Sequence, residues 1–322
     1  MAEPPDNAPP PDPSRVITDA AQAGPAALPG GSAAAPLAAI VTALLALALL
    51  LILTLALMLN ARPAPLQWSL AFGILIPAYL IVRRLRRRAP RIALGLATLA
   101  TVLSLAFVGN ALTALIAMHG VPLVDPQLAA IDRALGVDAA AWIAWAQKPA
   151  LLNYGLFAVY ESLMPQTVLI ALLYARRHDV VGSWRFALQL LLAVFATILL
   201  FRFFPAVGPS LTPETAPTAF QNHYISLFNG LHTGEDRTIH LFIFTGLVTF
   251  PSFHAAWAVI LTAAFRPWPK LLPAAVVLNS LVLVTAVTHG CHYVIDILVG
   301  IAIGTAALML PTMPMKVAPS HV

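Results

Sequence analysis

Three ionisable side chains interrupt the last apolar stretch of the chain, THGCHYVIDILVG, at residues 288–300. His292 and Asp296 are four residues apart, so they share one face of a helix, and His289 falls on the same face. A carboxylate bonded to one ring nitrogen fixes the tautomer of an imidazole and makes the other nitrogen a better nucleophile or base. The spacing therefore predicts a histidine nucleophile oriented by an aspartate.

A second group of polar side chains opens another apolar segment, FPSFHAAWA, at residues 250–258. Pro251 and Ser252 are typical of a helix start, which would place His254 in the first helical turn. The N-terminus of a helix offers unpaired backbone N–H groups and a partial positive charge, and both suit a bound phosphate. Ser252 adds a hydroxyl donor, so the segment predicts a phosphate-binding helix start.

A third feature, FRFFPAVGPS at residues 201–210, ends a helix and enters a turn rich in Pro and Gly. Arg202 is the candidate cation for the phosphate, although an arginine at a helix end also anchors the helix by snorkelling. Glu161 lies midway along an apolar segment. It is expected to pair with Arg202, to line a substrate cavity or to be a neutral structural group.

Apolar helices must position these residues. Of the 322 residues, 60% are hydrophobic and only 10% are charged, whereas soluble domains carry about 25% charged residues. The run from residue 36 to 59 contains only Thr42 and Thr54 as polar residues, and it is long enough to cross a hydrocarbon core of about 30 Å. The fold class is therefore expected to be all-α, a polytopic integral membrane helical bundle.

The apolar pattern predicts about eight transmembrane helices, near residues 36–59, 66–82, 92–118, 150–174, 184–204, 251–266, 270–289 and 292–311. The expected regions are a disordered Pro/Ala-rich cytoplasmic tail, N-terminal transmembrane helices, an outer interfacial segment, a membrane core and a C-terminal tail, at 1–35, 36–118, 119–148, 149–311 and 312–322.

Basic residues set the expected orientation of the bundle. The run RRLRRRAPR at residues 83–91 belongs in the cytoplasm by the positive-inside rule. Counting spans from this run places both termini in the cytoplasm, and it places loop 205–240 and the three histidines at the outer face. Compact loops favour a bacterial inner membrane. The net charge of +5 is explained by these loops, so nucleic acid is not an expected partner.

The single cysteine, Cys291, excludes an intrachain disulfide and a cysteine-based zinc or iron–sulfur site within one chain.

FPSFHAA followed by HYVIDILVG resembles the type 2 phosphatidic acid phosphatase superfamily, with the inositolphosphorylceramide synthase and inositolphosphotransferase branch as the nearest likeness. The resemblance covers residues 184–310. It implies a six-helix phosphatase- or phosphotransferase-like catalytic core within 149–311, with no cofactor and no metal. The implied substrate is a phosphorylated lipid drawn from the bilayer, together with an alcohol acceptor if the phosphoryl group is transferred.

The resemblance also implies roles for individual residues. His292 would attack the phosphorus and form a phosphohistidine, and Asp296 would orient and charge-stabilise it. His254 would protonate the leaving oxygen, and Ser252 would hold a phosphate oxygen. Transfer is favoured over hydrolysis because the motif pair resembles the synthase branch.

The sequence departs from the family pattern at three positions. Phe253 stands where a glycine is usual, and Ala286 stands where an arginine is usual. The first motif of the family, which would correspond to FRFFPAVGPS here, normally has a lysine and an Arg-Pro pair. Only Arg202 is present nearby. Arg202 and His289 are therefore the candidates to bind the phosphate in place of the missing cations.

Two alternatives come from other classes of function. One is a catalytically altered lipid transporter or scaffold of the same fold, which the alanine at position 286 keeps open. The other is a haem or metal membrane protein with His254, His289 and His292 as ligands. The donor lipid, the acceptor and the oligomeric state are not set by the sequence.

Overall fold

The computed structural model describes residues 31–147, 150–209, 219–241 and 247–309, and helices form almost all of its regular structure. The helices are α1 Gly31–Met58, α2 Pro65–Leu85, α3 Pro90–Ala117, α4 Asp125–Ala134, α5 Ala139–Gln147, α6 Ala150–Tyr160, α7 Leu163–Arg177, α8 Val180–Phe203, α9 Ala219–Thr233, α10 Phe253–Ala264, α11 Leu272–Thr288 and α12 Val294–Met309. Two short strands, β1 Arg62–Pro63 and β2 Thr238–Ile239, pair in parallel.

The expected all-α membrane bundle is confirmed. Within the described ranges, five helical stretches are long and apolar enough to cross a membrane: Ala34–Met58, Pro65–Leu85, Pro90–Ala117, Ala150–Arg177 and Val180–Phe203. The last three expected spans form the shorter apolar helices α10, α11 and α12. Each of the eight apolar segments read from the sequence is therefore helical, but the three that carry the motifs are short.

Helices α1 and α2 present large apolar side chains on the outer surface of the bundle. Leu47, Leu57 and Leu66 are 62%, 71% and 73% exposed. Apolar surface in contact with water is unfavourable by about 25 cal/mol per Å². An exposed apolar surface of this kind matches a lipid environment, and the protein is an integral membrane protein.

Local sequence signals explain where several helices begin. Pro65 and Pro90 stand at the first positions of α2 and α3, where the missing N–H costs nothing. Asp179 caps α8, because its Oδ1 accepts a 2.8 Å hydrogen bond from the backbone N–H of Gly182. Helices α6 and α7 are separated by a short break at residues 161–162, shortly before Pro165.

Three expected segments differ from the structure in their bounds or in their secondary structure. Helix α1 begins at Gly31, before the expected boundary at residue 36, while residues 1–30 and the tail 312–322 lie outside the described residues. The stretch 119–148 contains α4 and α5, and loop 205–240 contains α9 and β2. The long loop is therefore partly helical, because α9 has apolar side chains that it can bury against α3 and α8.

The motifs gather at one end of the bundle. The starts of α10 and α12 and the ends of α3, α8 and α11 meet there, and the pairing of β1 with β2 places the start of α2 at the same end. The 21 residues of α2 span about 30 Å at 1.5 Å per residue. The arginine run at residues 83–91 follows α2, so it lies at the opposite end.

Candidate active site

Two glycines of α12 bring the starts of α10 and α12 together. A Cβ at Gly300 would lie 2.3 Å from the carbonyl oxygen of Ser252, and one at Gly304 would lie 2.7 Å from that of Ala256. Only glycine permits this approach of two helix backbones. The helix starts that carry His254 and Asp296 are therefore in direct contact.

The contact between His292 and Asp296 predicted from their spacing is present. Nδ1 of His292 lies 3.3 Å from Oδ2 of Asp296, and the side chains are 2% and 0% exposed. The backbone N–H of Tyr293 donates a 2.9 Å hydrogen bond to the same carboxylate oxygen. His292 lies in the turn before α12, not on the helix, while Asp296 lies in its first turn. The turn still holds the imidazole against the carboxylate.

The electrostatics of the pair suit a nucleophile. Burial lowers the pKa of the His292 imidazole to about 4, so the ring is neutral at pH 7. When the carboxylate of Asp296 accepts a hydrogen bond from Nδ1, the proton stays on Nδ1 and Nε2 keeps its lone pair. Nε2 is then the atom able to attack an electrophile.

His254 faces His292 across a short gap. The centroids of the two imidazole rings are 6.1 Å apart, and the ring planes are inclined by 59°. His254 also stacks on Tyr160, with ring centroids 4.5 Å apart and planes inclined by 22°. Stacking on an aromatic ring limits the rotation of His254. A phosphoryl group between the two imidazoles would lie within hydrogen-bonding reach of both.

The hydroxyl of Ser252 caps α10, the helix that starts directly after it. Its hydroxyl oxygen accepts a 3.3 Å hydrogen bond from the backbone N–H of Ala255, and the side chain is completely buried. The helix start predicted from FPSF is therefore correct. Ser252 is not among the residues that line the cavity beside the histidines, and its role as a phosphate ligand stays a prediction.

His289 lies at the end of α11, beside the same cavity. Its Nε2 lies 2.8 Å from Oδ1 of Asn153, and its Nδ1 lies 2.8 Å from the hydroxyl of Thr288. Both ring nitrogens are thus engaged by neighbouring side chains. His289 is well placed to orient the turn before His292, and its role in substrate binding stays a prediction.

Arg202 and Glu161 are not brought to the cavity. Arg202 is partly buried at the end of α8, with its guanidinium 6.0 Å from the ring centroid of Phe203. Glu161 is exposed in the break between α6 and α7. Within the described part of the chain the two residues form no ion pair with each other. The cation expected at this position therefore does not line the cavity.

Ala286 occupies a tightly packed position. Its side chain is completely buried in an apolar cluster that includes Tyr160 and Ala255. Its carbonyl oxygen accepts a 3.3 Å hydrogen bond from the backbone N–H of His292. The residue at the position of the family's arginine is therefore fully buried and hydrogen-bonded to the turn that carries His292.

Asp132 is a site residue that the sequence does not reveal. One carboxylate oxygen accepts a 2.8 Å hydrogen bond from the backbone N–H of Val294, and the other accepts one of 3.1 Å from that of Ile295. These are the first N–H groups of α12, and Asp132 is only 2% exposed. The helix that carries Asp296 is thus capped by a side chain from α4, which no local pattern could show.

Asp125 joins two loops of the site. Its carboxylate accepts hydrogen bonds from the backbone N–H groups of Val207, at 3.1 Å, and Gly208, at 2.7 Å. The hydroxyl of Tyr293 donates to the same carboxylate at 3.2 Å. Gly208 has φ +101°, and a Cβ there would lie 2.0 Å from the carbonyl oxygen of Cys291, so only glycine fits. The loop after α8 is therefore fastened against the turn that holds His292.

Helix α9 covers the site from the side of the long loop. The hydroxyl of Tyr224 lies 2.6 Å from that of Thr249, and Tyr224 borders the cavity. Phe228 and Leu231 are completely buried and pack with Phe201 at the end of α8. Helix α9 therefore packs against the helices that surround the site.

A cavity of about 350 Å³ connects these residues, which is within the size range of small-molecule sites. Most of its wall is apolar, and its polar side chains within the described residues are Asn110, Thr113, Tyr160, Thr197, Tyr224, Thr249, His254, His289, Cys291 and His292. None of the described residues in the wall is a lysine or an arginine. A bound phosphate would therefore meet imidazoles, hydroxyl groups and backbone N–H groups.

Comparison with known proteins places this geometry in a family. The family model described as the PAP2 superfamily matches residues 126–310. The matched range contains α10, α11 and α12 with the histidine pair, and it also contains most of α4 with Asp132. No curated protein and no solved structure matches the chain.

Proposed function

Because this chain belongs to the PAP2 superfamily, we propose that it is a membrane-embedded lipid phosphotransferase or phosphatase that works through a phosphohistidine at His292. Membership of the superfamily supports a lipid phosphatase or phosphotransferase type of function. The observation that carries the proposal is the facing pair of His254 and His292, 6.1 Å apart at the wall of one cavity, with Asp296 behind the second ring.

The proposed reaction has two steps with opposite proton movements. In the first, Nε2 of His292 attacks the phosphorus, the bond from phosphorus to the leaving oxygen breaks, and protonated His254 gives its proton to that oxygen. In the second, His254 takes the proton from the hydroxyl group of water or an alcohol. The freed oxygen attacks the phosphorus, the phosphorus–nitrogen bond breaks, and both histidines return to their first state.

Asp296 contributes in both steps by stabilising the charge that develops on the His292 ring. Its buried Oδ2 lies beside Nδ1, and its Oδ1 has no hydrogen-bond partner within the described residues. A carboxylate in this position is complementary to an imidazole that becomes positively charged during attack. The arrangement follows the logic of a catalytic triad with histidine as the nucleophile.

We favour transfer to an alcohol over hydrolysis. The largely apolar wall supports this choice because it disfavours water near the phosphohistidine. The bulky Phe253, which borders the cavity, is also the residue in which FPSFHAA resembles the inositolphosphotransferase branch. We thus propose three things together: membership of this branch, a phosphorylated lipid as the donor and an alcohol as the acceptor.

The proposed location is a bacterial inner membrane, with the termini in the cytoplasm and the site at the outer face. The arginine run at residues 83–91 supports this orientation, because it follows α2 at the end of the bundle opposite the histidines. A site near one end of the bundle also suits a substrate whose phosphate is polar and whose tail is not.

The decisive experiment uses purified protein in lipid nanodiscs. Radiolabelled phosphatidylinositol, phosphatidic acid and a polyprenyl pyrophosphate are each supplied with and without an alcohol acceptor. Label on the acceptor is the expected result, whereas free phosphate would identify a phosphatase. The matched control is His292→Ala, which is expected to fold and to lose turnover. Full activity of that variant would show that the assigned nucleophile is wrong.

The alternative functions give different outcomes in the same assay. Lipid that stays bound without turnover would favour the transporter or scaffold, which the absence of lysine and arginine from the described cavity wall also fits. The haem or metal alternative needs free ring nitrogens, but both nitrogens of His289 are engaged by Asn153 and Thr288. Within the described residues, no group of three His, Cys, Asp or Glu side chains converges on one point.

A further inference from the structure

The cavity beside the histidines continues deep into the bundle. On α3 its wall runs from Thr113 to Val102, and on α8 it runs from Ile198 to Leu190. At 1.5 Å per residue these stretches extend about 16 Å and about 12 Å along the helices. Half of a hydrocarbon core of about 30 Å is about 15 Å. The cavity therefore reaches about as deep as one leaflet of a bilayer.

The wall changes from polar to apolar with depth. Near the histidines it contains Asn110, Thr113 and Thr197, whereas farther down α3 and α8 it contains residues such as Leu105 and Leu190. The hydroxyl of Thr197 has no hydrogen-bond partner within the described residues. A lipid shows the same order, with a phosphate, then an ester or amide linkage, then a hydrocarbon chain.

The cavity also reaches the outer surface of the bundle at one side. Met164, in the first turn of α7, is 44% exposed and lines the cavity. It lies just after the break that separates α6 from α7. Met164 therefore belongs both to the outer surface of the bundle and to the cavity wall.

We propose that the deep part of this cavity, between α3 and α8, holds one hydrocarbon chain of the lipid whose phosphate reacts at His292. This inference rests on the proposed function for the identity of the headgroup. The site for the hydrocarbon chain is inferred from the residues of the cavity wall alone. Helix α3 lies outside residues 126–310, the range that matches the family. Helix α3 thus forms one side of the substrate site and sets how long a chain it accepts.

Gly109 is the position at which chain length can be tested. It lies in the wall on α3, and a Cβ there would lie 3.5 Å from Cγ1 of Val194 on α8, an ordinary contact distance. A larger side chain at this position would narrow the cavity between the two helices. Gly73 on α2 is the matched control, because a Cβ there would meet nothing within 4 Å.

The first test measures turnover with a series of lipids that differ only in chain length. Gly109→Leu is expected to reduce turnover of long-chain substrates by about tenfold or more relative to short-chain ones, because several methylene groups lose their burial. Gly109→Ala is expected to give a smaller change in the same direction, and Gly73→Leu none. Equal effects of the two leucine variants on every chain length would overturn the proposal.

The second test does not depend on turnover. Phosphatidic acid and phosphatidylinositol that carry a diazirine at the end of one chain are photolysed in nanodiscs with His292→Ala protein. Labelled peptides are expected from α3 between Val102 and Gly109. Labelling confined to outward-facing leucines of α1 and α2 would overturn the chain site.

Diacylglycerol with the same diazirine distinguishes the source of the chain. Weaker labelling of α3 by this phosphate-free lipid supports a hydrocarbon chain that is positioned by a phosphate bound at the histidines. Equal labelling would show that the phosphate does not position the chain. If α3 is labelled by the phospholipids but the wild-type protein turns over no lipid, the chain site stands and the proposed enzyme function fails.

Discussion

Oδ2 of Asp132 accepts a 2.8 Å hydrogen bond from the backbone N–H of Val294, 162 residues later in the chain. This bond fastens α4 to the first turn of α12, which also contains Asp296. Asp132 does not line the cavity, yet it holds the helix start beside His292, the proposed nucleophile. We therefore expect Asp132 to position His292 and Asp296 for the proposed reaction.

Replacing Asp132 tests this dependence. Asp132→Ala is expected to lower the free energy of unfolding by about 1–3 kcal/mol, since two buried N–H groups lose their acceptor. It is also expected to lower kcat more than it raises KM, because the turn that holds His292 loses its anchor. Thermal unfolding and steady-state kinetics in nanodiscs measure the two effects.

The control is Asp138→Ala. Asp138 accepts a 3.0 Å hydrogen bond from the backbone N–H of Ala141 and caps α5 from an exposed position. Its loss is expected to cost about 1 kcal/mol or less and to leave kcat unchanged. Equal losses of kcat in the two variants would remove the special role of Asp132.

The two histidines are expected to respond differently to the leaving group. His254→Gln should reduce turnover of an alkyl phosphate ester by about 10²–10⁴-fold, the usual contribution of a general acid. A p-nitrophenyl ester needs no proton on its leaving oxygen, so this variant should still form the phosphohistidine and release p-nitrophenol in a burst, while the second step stays slow without its base. His292→Gln should be inactive with both esters. Rescue of His292→Gln by the p-nitrophenyl ester would mean that the roles are exchanged.

Ala286 gives a prediction about the missing arginine. Ala286→Arg is expected to reduce activity and to destabilise the fold by more than about 3 kcal/mol, because it adds volume and an unpaired charge at a completely buried position. Ala286→Ser should be tolerated with a much smaller loss. Thermal unfolding and turnover are measured together. A more active Ala286→Arg protein would show that the position is open to a phosphate.

The pKa of His292 gives a pH prediction. Burial lowers this pKa from 6.5 to about 4, so the neutral nucleophile persists through mildly acidic pH. The acid limb of kcat/KM is expected near pH 4 and well below 6.5, because kcat/KM reports ionisations of the free enzyme. A limb at or above pH 6.5 would contradict a buried nucleophile.

The same shift affects stability, with a definite sign. Between pH 6.5 and about 4 the unfolded chain binds a proton at His292 that the folded protein does not, so the free energy of unfolding falls as the pH falls. His292→Ala should make the pH dependence of unfolding shallower in this window. Unfolding curves of the two proteins at pH 7 and pH 5 check this, and identical slopes would contradict it.

Patterns within a few residues account for most of the predicted features that are present. Apolar runs place the helices, since each run must satisfy its backbone hydrogen bonds in lipid. The helix start at Ser252 and the contact between His292 and Asp296 depend on neighbours at most four residues away. For such features the sequence is sufficient, because the local backbone geometry determines the distance.

The tertiary structure alone decides the rest of the site. Asp125 and Asp132 meet their partners across 83 and 162 residues, and Tyr160 stacks on His254 from a different helix. Arg202, in the segment FRFFPAVGPS, does not line the cavity, whereas α3 forms part of its wall. Contacts of this kind depend on which helix faces pack together, and one chain's residue pattern does not specify that. The sequence by itself determined a membrane bundle with a histidine pair, and helix packing decided what holds and surrounds that pair.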